Sequence, residues 1–341
     1  AWSSYANQGS ANATNFGETG LATGCYEYQY YTVDMVGNST TSGETCVIKV
    51  DTTLPSISVS GITESSNYIY YNSGTLYYTN APATPGSFTV DVTSADADTL
   101  ITGVSGSTEF GDTPSDAGSP YNLAYSIEQS STCTTPLTAT ATNTASATNS
   151  ASVTCALDTT VPSTGSVTYT NGYQNSSANV ALTVADGTDA GAGINTATRT
   201  VQMQSCAMSG AGTCAPAGGY STVSTTDTYP SLTYAGATGN CYQLQYLVSD
   251  NVSNTATYTT SNVICLDTVA PSAIAVSIAG AATYTTSAAV TLTTAATDGA
   301  SGVSQMQFSC DNTSWTTAES YVTSKSFNLT TQSGAGCTAT E

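Results

Sequence analysis

The sequence predicts an all-β chain made of tandem β-sandwich domains in series, and three observations carry that prediction. Strand-forming Thr, Val, Tyr and Ile dominate, with 22 Tyr among 341 residues. Apolar residues alternate with polar ones in short runs, the signature of strands with one face on a core. A pattern of cysteines recurs at a period near 110 residues, too long for a solenoid unit and suited to a whole sandwich.

The elements follow in chain order. Ile57 and Val59 share one strand face, as do Phe88, Val90 and Val92. Val180, Leu182 and Val184 repeat the pattern, and so do Val201 and Met203. Tyr242, Leu244, Tyr246 and Val248 mark a long strand near the end of a repeat. Clusters of Gly, Asn, Asp, Ser and Pro separate these runs and supply turns. No convincing helix is found.

Two markers set the period. Cys25, Cys133 and Cys241 stand 108 residues apart, and Cys46, Cys155 and Cys265 stand 109 and 110 apart. Asp51-Thr52-Thr53-Leu54-Pro55-Ser56 recurs at 158–163, and a variant at 267–272. The domains expected are therefore the last part of a sandwich over 1–50, complete sandwiches over 51–157 and 158–266, and the first part of another over 267–341. The period reads as an excerpt of a longer array. A sharper reading has the two part-domains complete each other between neighbouring subunits, as in strand donation.

Composition excludes several functions. Three Lys plus Arg stand against 23 Asp plus Glu, with no His and a net charge of −20. Nucleic-acid binding needs cations for the phosphates, so no nucleic-acid partner is expected. A chain without His holds no Ser-His-Asp triad and no His-bearing zinc site. No membrane span and no signal peptide is visible, so any export signal was removed or lies outside these residues. At 39% apolar residues the chain is too rich in core formers for disorder.

Many of those core formers are small, so covalent help is expected. The natural pairs are Cys25–Cys46, Cys133–Cys155 and Cys241–Cys265, each joining the last two strands of a repeat. Loops of about 20–25 residues imply roughly 3 kcal/mol per bridge on the chain-entropy view. Cys206–Cys214 and Cys310–Cys337 complete a set of ten. Local pairing throughout indicates an oxidising compartment, so the protein is expected outside the cell or on its surface. No two cysteines have the CxxC spacing of a metal site.

The linker repeats, the strand-end motifs at 32–38 and 248–254, the turn Asp298-Gly299-Ala300-Ser301-Gly302-Val303 and the hairpin Ser309–Trp315 resemble the bacterial immunoglobulin-like domain repeats of large surface proteins and adhesins. The resemblance covers essentially the whole chain. It implies Greek-key immunoglobulin-like sandwiches, exported and strung in series. One departure stands out: Asn143 occupies the place of the strand-end Asp in the second repeat.

Acidic residues gather at repeat ends. Asp51, Asp158 and Asp267 open the linkers, Asp34 and Asp250 sit in strand-end turns, and Asp298 sits in a turn with Asp96, Asp98, Asp186 and Asp189 as counterparts. Where such loops meet, they offer the oxygens that structural calcium takes, as similar arrays use it. Solvated turns are the plainer reading. No twelve-residue calcium loop is present. Asp186 and Asp189 could be cast as a glycosidase pair, but turn chemistry explains them better, and no enzyme is expected.

Three weaker signals remain. Asn12, Asn38, Asn175, Asn251, Asn312 and Asn328 begin Asn-x-Ser/Thr triplets, so glycosylation is open. Tyr68, Tyr70, Tyr71, Tyr77 and Tyr78 read as strand packing, a subunit contact or a sugar-stacking face. Lys49 and Lys325, the two lysines, are poor prospects for isopeptide bonds. The function expected is a structural subunit of an extracellular fibre or surface filament, with neighbouring copies or adjacent repeats as partners. The alternatives are an adhesin stalk whose binding tip lies outside this chain, or the accessory region of a secreted enzyme.

Overall fold

The computed structural model describes residues 19–43, 47–134, 136–177, 179–208, 214–330 and 336. The chain divides into two compact units: residues 1–160 with 190–192 and 251–254, and residues 161–189 with 193–250 and 255–341. Every regular element is a strand except a single 3-10 turn at Ala279–Ala281, among the described residues.

In the first unit, β1 (Gly24–Tyr26), β2 (Tyr31–Val33), β3 (Ser39–Thr41) and β4 (Ile48–Val50) form two antiparallel pairs, β1 with β4 and β2 with β3. A sandwich follows. Its smaller sheet has the order β11 (Tyr121–Ile127), β8 (Gly86–Ala95), β5 (Ser56–Glu64). Its larger sheet has the order β10 (Ser115–Asp116), β9 (Ile101–Gly106), β12 (Leu137–Asn143), β13 (Thr148–Leu157), β7 (Thr75–Tyr78), β6 (Ile69–Asn72).

Alternation dictates which side chains enter the space between the sheets. Phe88, Val90 and Val92 on β8 and Leu123, Tyr125 and Ile127 on β11 meet Leu76, Val104, Ala139 and Val153 from the other sheet, all buried. Burial of each large apolar side chain contributes about 1.5–3 kcal/mol. Phe110 packs edge-on against Tyr78 and Phe88, at 5.0 and 5.4 Å between ring centres. The β6–β7 hairpin turns through Ser73 and Gly74, both at positive φ, as a two-residue hairpin requires.

The second unit repeats the plan. One sheet holds β14 (Ser166–Tyr169), β16 (Asn179–Ala185) and β19 (Ser231–Ala235). The other holds β15 (Gly172–Gln174), β22 (Ile264–Leu266), β20 (Asn240–Asp250), β17 (Ile194–Ala207) and β18 (Ser221–Val223), with β21 (Thr255–Thr259) also on β20. Leu244, Tyr246, Val248, Ile264 and Leu266 on the second sheet are fully buried against Val167, Val180, Leu182, Val184, Leu232 and Tyr234. Beyond it, β23 (Ser272–Ile278), β24 (Ala289–Thr297) and β27 (Ser324–Asn328) form a three-stranded sheet, and β25 (Gln305–Met306) pairs with β26 (Glu319–Ser320).

Disulfides join Cys133 to Cys155, Cys206 to Cys214 and Cys241 to Cys265. Cys241 and Cys265 are opposite one another on β20 and β22, which neighbour in the sheet although β21 lies between them in sequence. Cys133 lies in the loop that leads into β12, so the first bridge ties a loop to β13. Cys310 is disulfide-bonded, and its expected partner Cys337 lies outside the described residues. Cys25 departs from expectation: it is a free, exposed thiol. The β1–β4 ladder sets it opposite Lys49, the place that Cys265 holds opposite Cys241. Its expected partner Cys46 lies outside the described residues.

Candidate functional site

The acidic linker ends share one construction. In each, the first carboxylate oxygen of the opening Asp accepts the backbone N–H two residues on: Thr53 to Asp51 at 2.9 Å, Thr160 to Asp158 at 3.0 Å, Val269 to Asp267 at 3.1 Å. The Thr53 and Thr160 hydroxyls reinforce this at 2.6 and 2.7 Å. The second oxygen turns to a loop further along the chain. Asp158 accepts from the Ala192 N–H at 2.6 Å and Asp267 from the Ser301 N–H at 2.9 Å. Asp158 and Asp267 are buried, and a Cβ on Gly191 would collide with the Asp158 carboxylate. Each linker Asp is thus a buckle that fixes its linker to a particular loop.

Asp51 closes its buckle with side chains. Its second oxygen accepts the Thr99 hydroxyl at 2.8 Å and the Asn143 amide at 3.0 Å. The same amide reaches Asp96 at 3.2 Å. Hydrogen bonds, first from Thr53, hold the Asp51 carboxyl below its ordinary value, although burial and the Asp96 charge oppose this. The Thr99 and Asp98 backbone N–H groups do the same for Asp96. Asp98 is exposed and accepts the Thr53 hydroxyl at 3.2 Å.

Strand-end turns supply the rest. Asp34 accepts the Val36 and Asn38 N–H groups through one oxygen, and Asn143 accepts those of Ala145 and Ala147 in the same i+2, i+4 pattern. Asn143 keeps the acceptor of the strand-end Asp and adds a donor, which it aims at two carboxylates. It is 1% exposed. Asp298 accepts from Ala300 and Gly302, and Asp189 from Gly193.

The donor sets differ in their fit to calcium. A neutral amide already bridges Asp51 and Asp96, so that cluster does not fit a cation. Asp34 and Asp298 each have one carboxylate oxygen turned to backbone N–H groups, and the other oxygen of Asp34 accepts the Asn38 amide. Asp189 and Asp250, within the second unit, bring carboxylate oxygens within 4.8 Å of one another, a spacing that a divalent cation can bridge.

Asp186 serves another purpose. It accepts both the Nε and a terminal nitrogen of Arg199 and the Tyr246 hydroxyl, while Arg199 lies 4.9 Å over the Tyr229 ring. The Arg199 hydrogen bonds hold Asp186 below its ordinary value. An ionised carboxylate in an ion pair is the reverse of a general acid.

Among the triplet asparagines, Asn175 and Asn312 are exposed. Asn38 donates to Asp34 at 2.8 Å and Asn251 to the Ala192 carbonyl at 2.8 Å. Asn328 is half-buried, and Asn12 lies outside the described residues. Of the tyrosines, Tyr78 is buried, Tyr68 and Tyr71 pack on the core, and Tyr70 and Tyr77 pair at 6.4 Å on the other face of the hairpin. Lys325 pairs with Glu319 at 2.5 Å.

No protein-family model matches the chain, and no curated protein matches it. Solved structures do. The fibronectin(III)-like modules of Clostridium thermocellum CbhA are similar at 12% identity and TM-score 0.26, over 62% of this chain and 94% of theirs. A Ca2+-stabilized adhesin that helps an Antarctic bacterium reach out and bind ice is similar at 17% identity and TM-score 0.36, over 89% of this chain and 72% of its own. The chicken CNTN1 FN1–FN3 domains are similar at 10% identity and TM-score 0.20, over 81% and 88%. These are likenesses of fold.

Proposed function

We propose that the chain is a load-bearing structural segment of an extracellular fibre or surface filament, built from disulfide-braced immunoglobulin-like sandwiches. One observation carries this reading. In each sandwich the last strand pairs in parallel with an early strand: β13 with β7 through Thr154–Leu157, and β22 with β15 through Ile264–Leu266. Traction along the chain pulls two parallel strands in opposite directions. It loads their ladder in shear, so the hydrogen bonds must yield together.

The bridges support the same reading. Cys155 and Cys265 sit on those last strands, and such bridges persist in oxidising surroundings. No helix among the described residues is long and apolar enough to cross a membrane. Pulling single molecules by their two ends tests the proposal. Discrete resisting events, one per sandwich, are expected; smooth extension at low force overturns it.

Calcium has a place in this reading, bridging Asp189 and Asp250 and stiffening the loops that carry them. Added calcium is expected to raise the melting temperature of the chain and to leave Asp189→Asn unmoved. An equal response in both removes calcium from that site.

A further inference from the structure

Three cysteines of the second unit stand in one row across three strands. Cys206 on β17 is opposite Cys241 on β20, and Cys241 is opposite Cys265 on β22. Residues opposed in a ladder send their side chains to the same face of the sheet. Here it is the face away from the core. Tyr242, Leu244, Ile264 and Leu266 belong to the core, whereas Cys206, Cys214, Cys241 and Cys265 gather around Met208. Opposed Cα atoms of antiparallel strands lie about 4.5–5.5 Å apart, within the span of about 4.4–6.8 Å that a disulfide bridges. Cys241 can therefore bond to either neighbour. It is joined to Cys265, and Cys206 is joined to Cys214.

Access separates the two bridges. Exchange requires a thiolate to approach a disulfide sulfur. Cys241 and Cys265 are 0% exposed, so a thiol in solution does not reach them. Cys206 and Cys214 are only partly buried. The first sandwich lacks this arrangement, because the residue opposite Cys155 on β7 is Leu76.

We propose that Cys206 relays thiol–disulfide exchange from solution to the buried Cys241–Cys265 bridge. A small thiol of the glutathione class gives its proton to water and attacks the Cys214 sulfur as a thiolate. A mixed disulfide forms on Cys214, the Cys206–Cys214 bond breaks, and Cys206 leaves as a thiolate. Cys206 then attacks Cys241, with Cys265 next in the same row. The Cys206–Cys241 bond forms, the Cys241–Cys265 bond breaks, and Cys265 leaves with the electron pair and takes up a proton. Each step exchanges one disulfide for another, so no net oxidant or reductant is consumed. The tie on β20 moves from β22 to β17. On the load-bearing reading above, this releases the last strand from its bridge; the exchange itself does not depend on that reading.

The test compares the whole chain with two variants, Cys214→Ser and Cys206→Ser, each checked for folding by far-UV circular dichroism. Samples are quenched in acid, denatured, alkylated with N-ethylmaleimide and digested with pepsin, and mass spectrometry maps labels and crosslinks. Both variants lose the same bridge, so a merely loosened sandwich would treat them alike. In Cys214→Ser, label is expected at both Cys206 and Cys265, with a new Cys206–Cys241 crosslink. In Cys206→Ser, the Cys241–Cys265 crosslink is expected to survive. The wild-type chain in reduced glutathione is expected to gain label at Cys265 while Cys241 becomes crosslinked to Cys206 and the Cys133–Cys155 crosslink persists. That arm needs no substitution, so it stands whether or not a variant folds. Label confined to Cys206 in the first variant, loss of the Cys241–Cys265 crosslink in both variants, or glutathione that labels Cys241 and Cys265 equally or leaves Cys265 unlabelled would each overturn the relay. Pulling the oxidised chain judges the load-bearing reading separately.

Discussion

Opening one bridge at a time is expected to release a length that the structure fixes in advance. Under traction, force that reaches Cys155 crosses the sulfur bridge to Cys133, so the 22 residues of that loop carry no load. Cleaving the bond frees them. At about 3.5 Å per residue, less the 6.1 Å already spanned between the two Cα atoms, the gain is roughly 70 Å. For Cys241–Cys265, with 24 residues and 3.9 Å, it is roughly 80 Å. For Cys206–Cys214, with 8 residues, it is roughly 20 Å.

The assay is force–extension on single molecules held by their ends, first oxidised and then in reductant. The Cys133→Ala/Cys155→Ala and Cys241→Ala/Cys265→Ala variants assign each gain to its sandwich. Loss of a bridge of this loop size costs about 3 kcal/mol, so these variants are pulled at low temperature, where more molecules start folded. The reasoning fails if reduction leaves the unfolding lengths unchanged. It fails equally if the Cys133/Cys155 variant lengthens the event assigned to the second sandwich.

Three other outcomes are expected. Leu244→Ala opens a cavity in a fully buried position and costs about 2–5 kcal/mol, while Val276→Ala on the exposed face of β23 stays within about 0.5 kcal/mol in the monomer; urea unfolding separates the two. Asn143→Asp removes the donor between Asp51 and Asp96 and adds a third negative charge, so the first sandwich loses about 1–3 kcal/mol at neutral pH, read from the urea midpoint. Stability also narrows at both ends of the pH scale. Asp51, Asp96, Asp186 and Asp267 titrate below their ordinary value when folded. Their contribution is present above the unfolded value near 4 and is lost as pH falls through the depressed folded values. Tyr125 and Tyr234 are pushed up by burial to about 12, so the contribution of their neutral form is lost as pH rises from about 10 toward 12. Thermal melts across the pH range would show a plateau between these limits; a stability that keeps rising below pH 4 would contradict the assignment.

Much of the fold was legible because a strand's period of two and a sandwich's two faces leave little freedom. Phe88, Val90 and Val92, and Val180, Leu182 and Val184, announce themselves by alternation and are buried as that pattern requires. The linker aspartates were legible as special, but their partners were not. Asp158 and Asp267 are satisfied by backbone N–H groups of Ala192 and Ser301, and every residue but proline offers one, so no side chain advertises it. Asn143 did leave a signal, by standing where the repeat has Asp. The Arg199–Asp186–Tyr246 group left none, since those residues lie on three separate strands or loops. Counting cysteines gives the spacing along the chain, whereas opposition across a ladder depends on which residues pair, and the β1–β4 ladder sets Cys25 opposite Lys49.

The strand-end turns show one electrostatic problem solved in two ways. A chain of net charge −20 that gathers carboxylates at its linkers stores repulsion wherever those groups face each other. Around Asp51 the repulsion is relieved by an uncharged donor. Asn143 touches both Asp51 and Asp96, and the arrangement needs nothing from solution. Where Asp250 replaces that Asn, the same turn presents a charge, and its carboxylate lies close to that of Asp189. On the calcium reading proposed above, a mobile cation would do there what the amide does through hydrogen bonds, and the arrangement would respond to ionic strength. Linkers of one repeat pattern therefore need not respond alike to the medium. A filament made this way would have some strand-end turns whose stiffness is built in and others whose stiffness follows the cations around them.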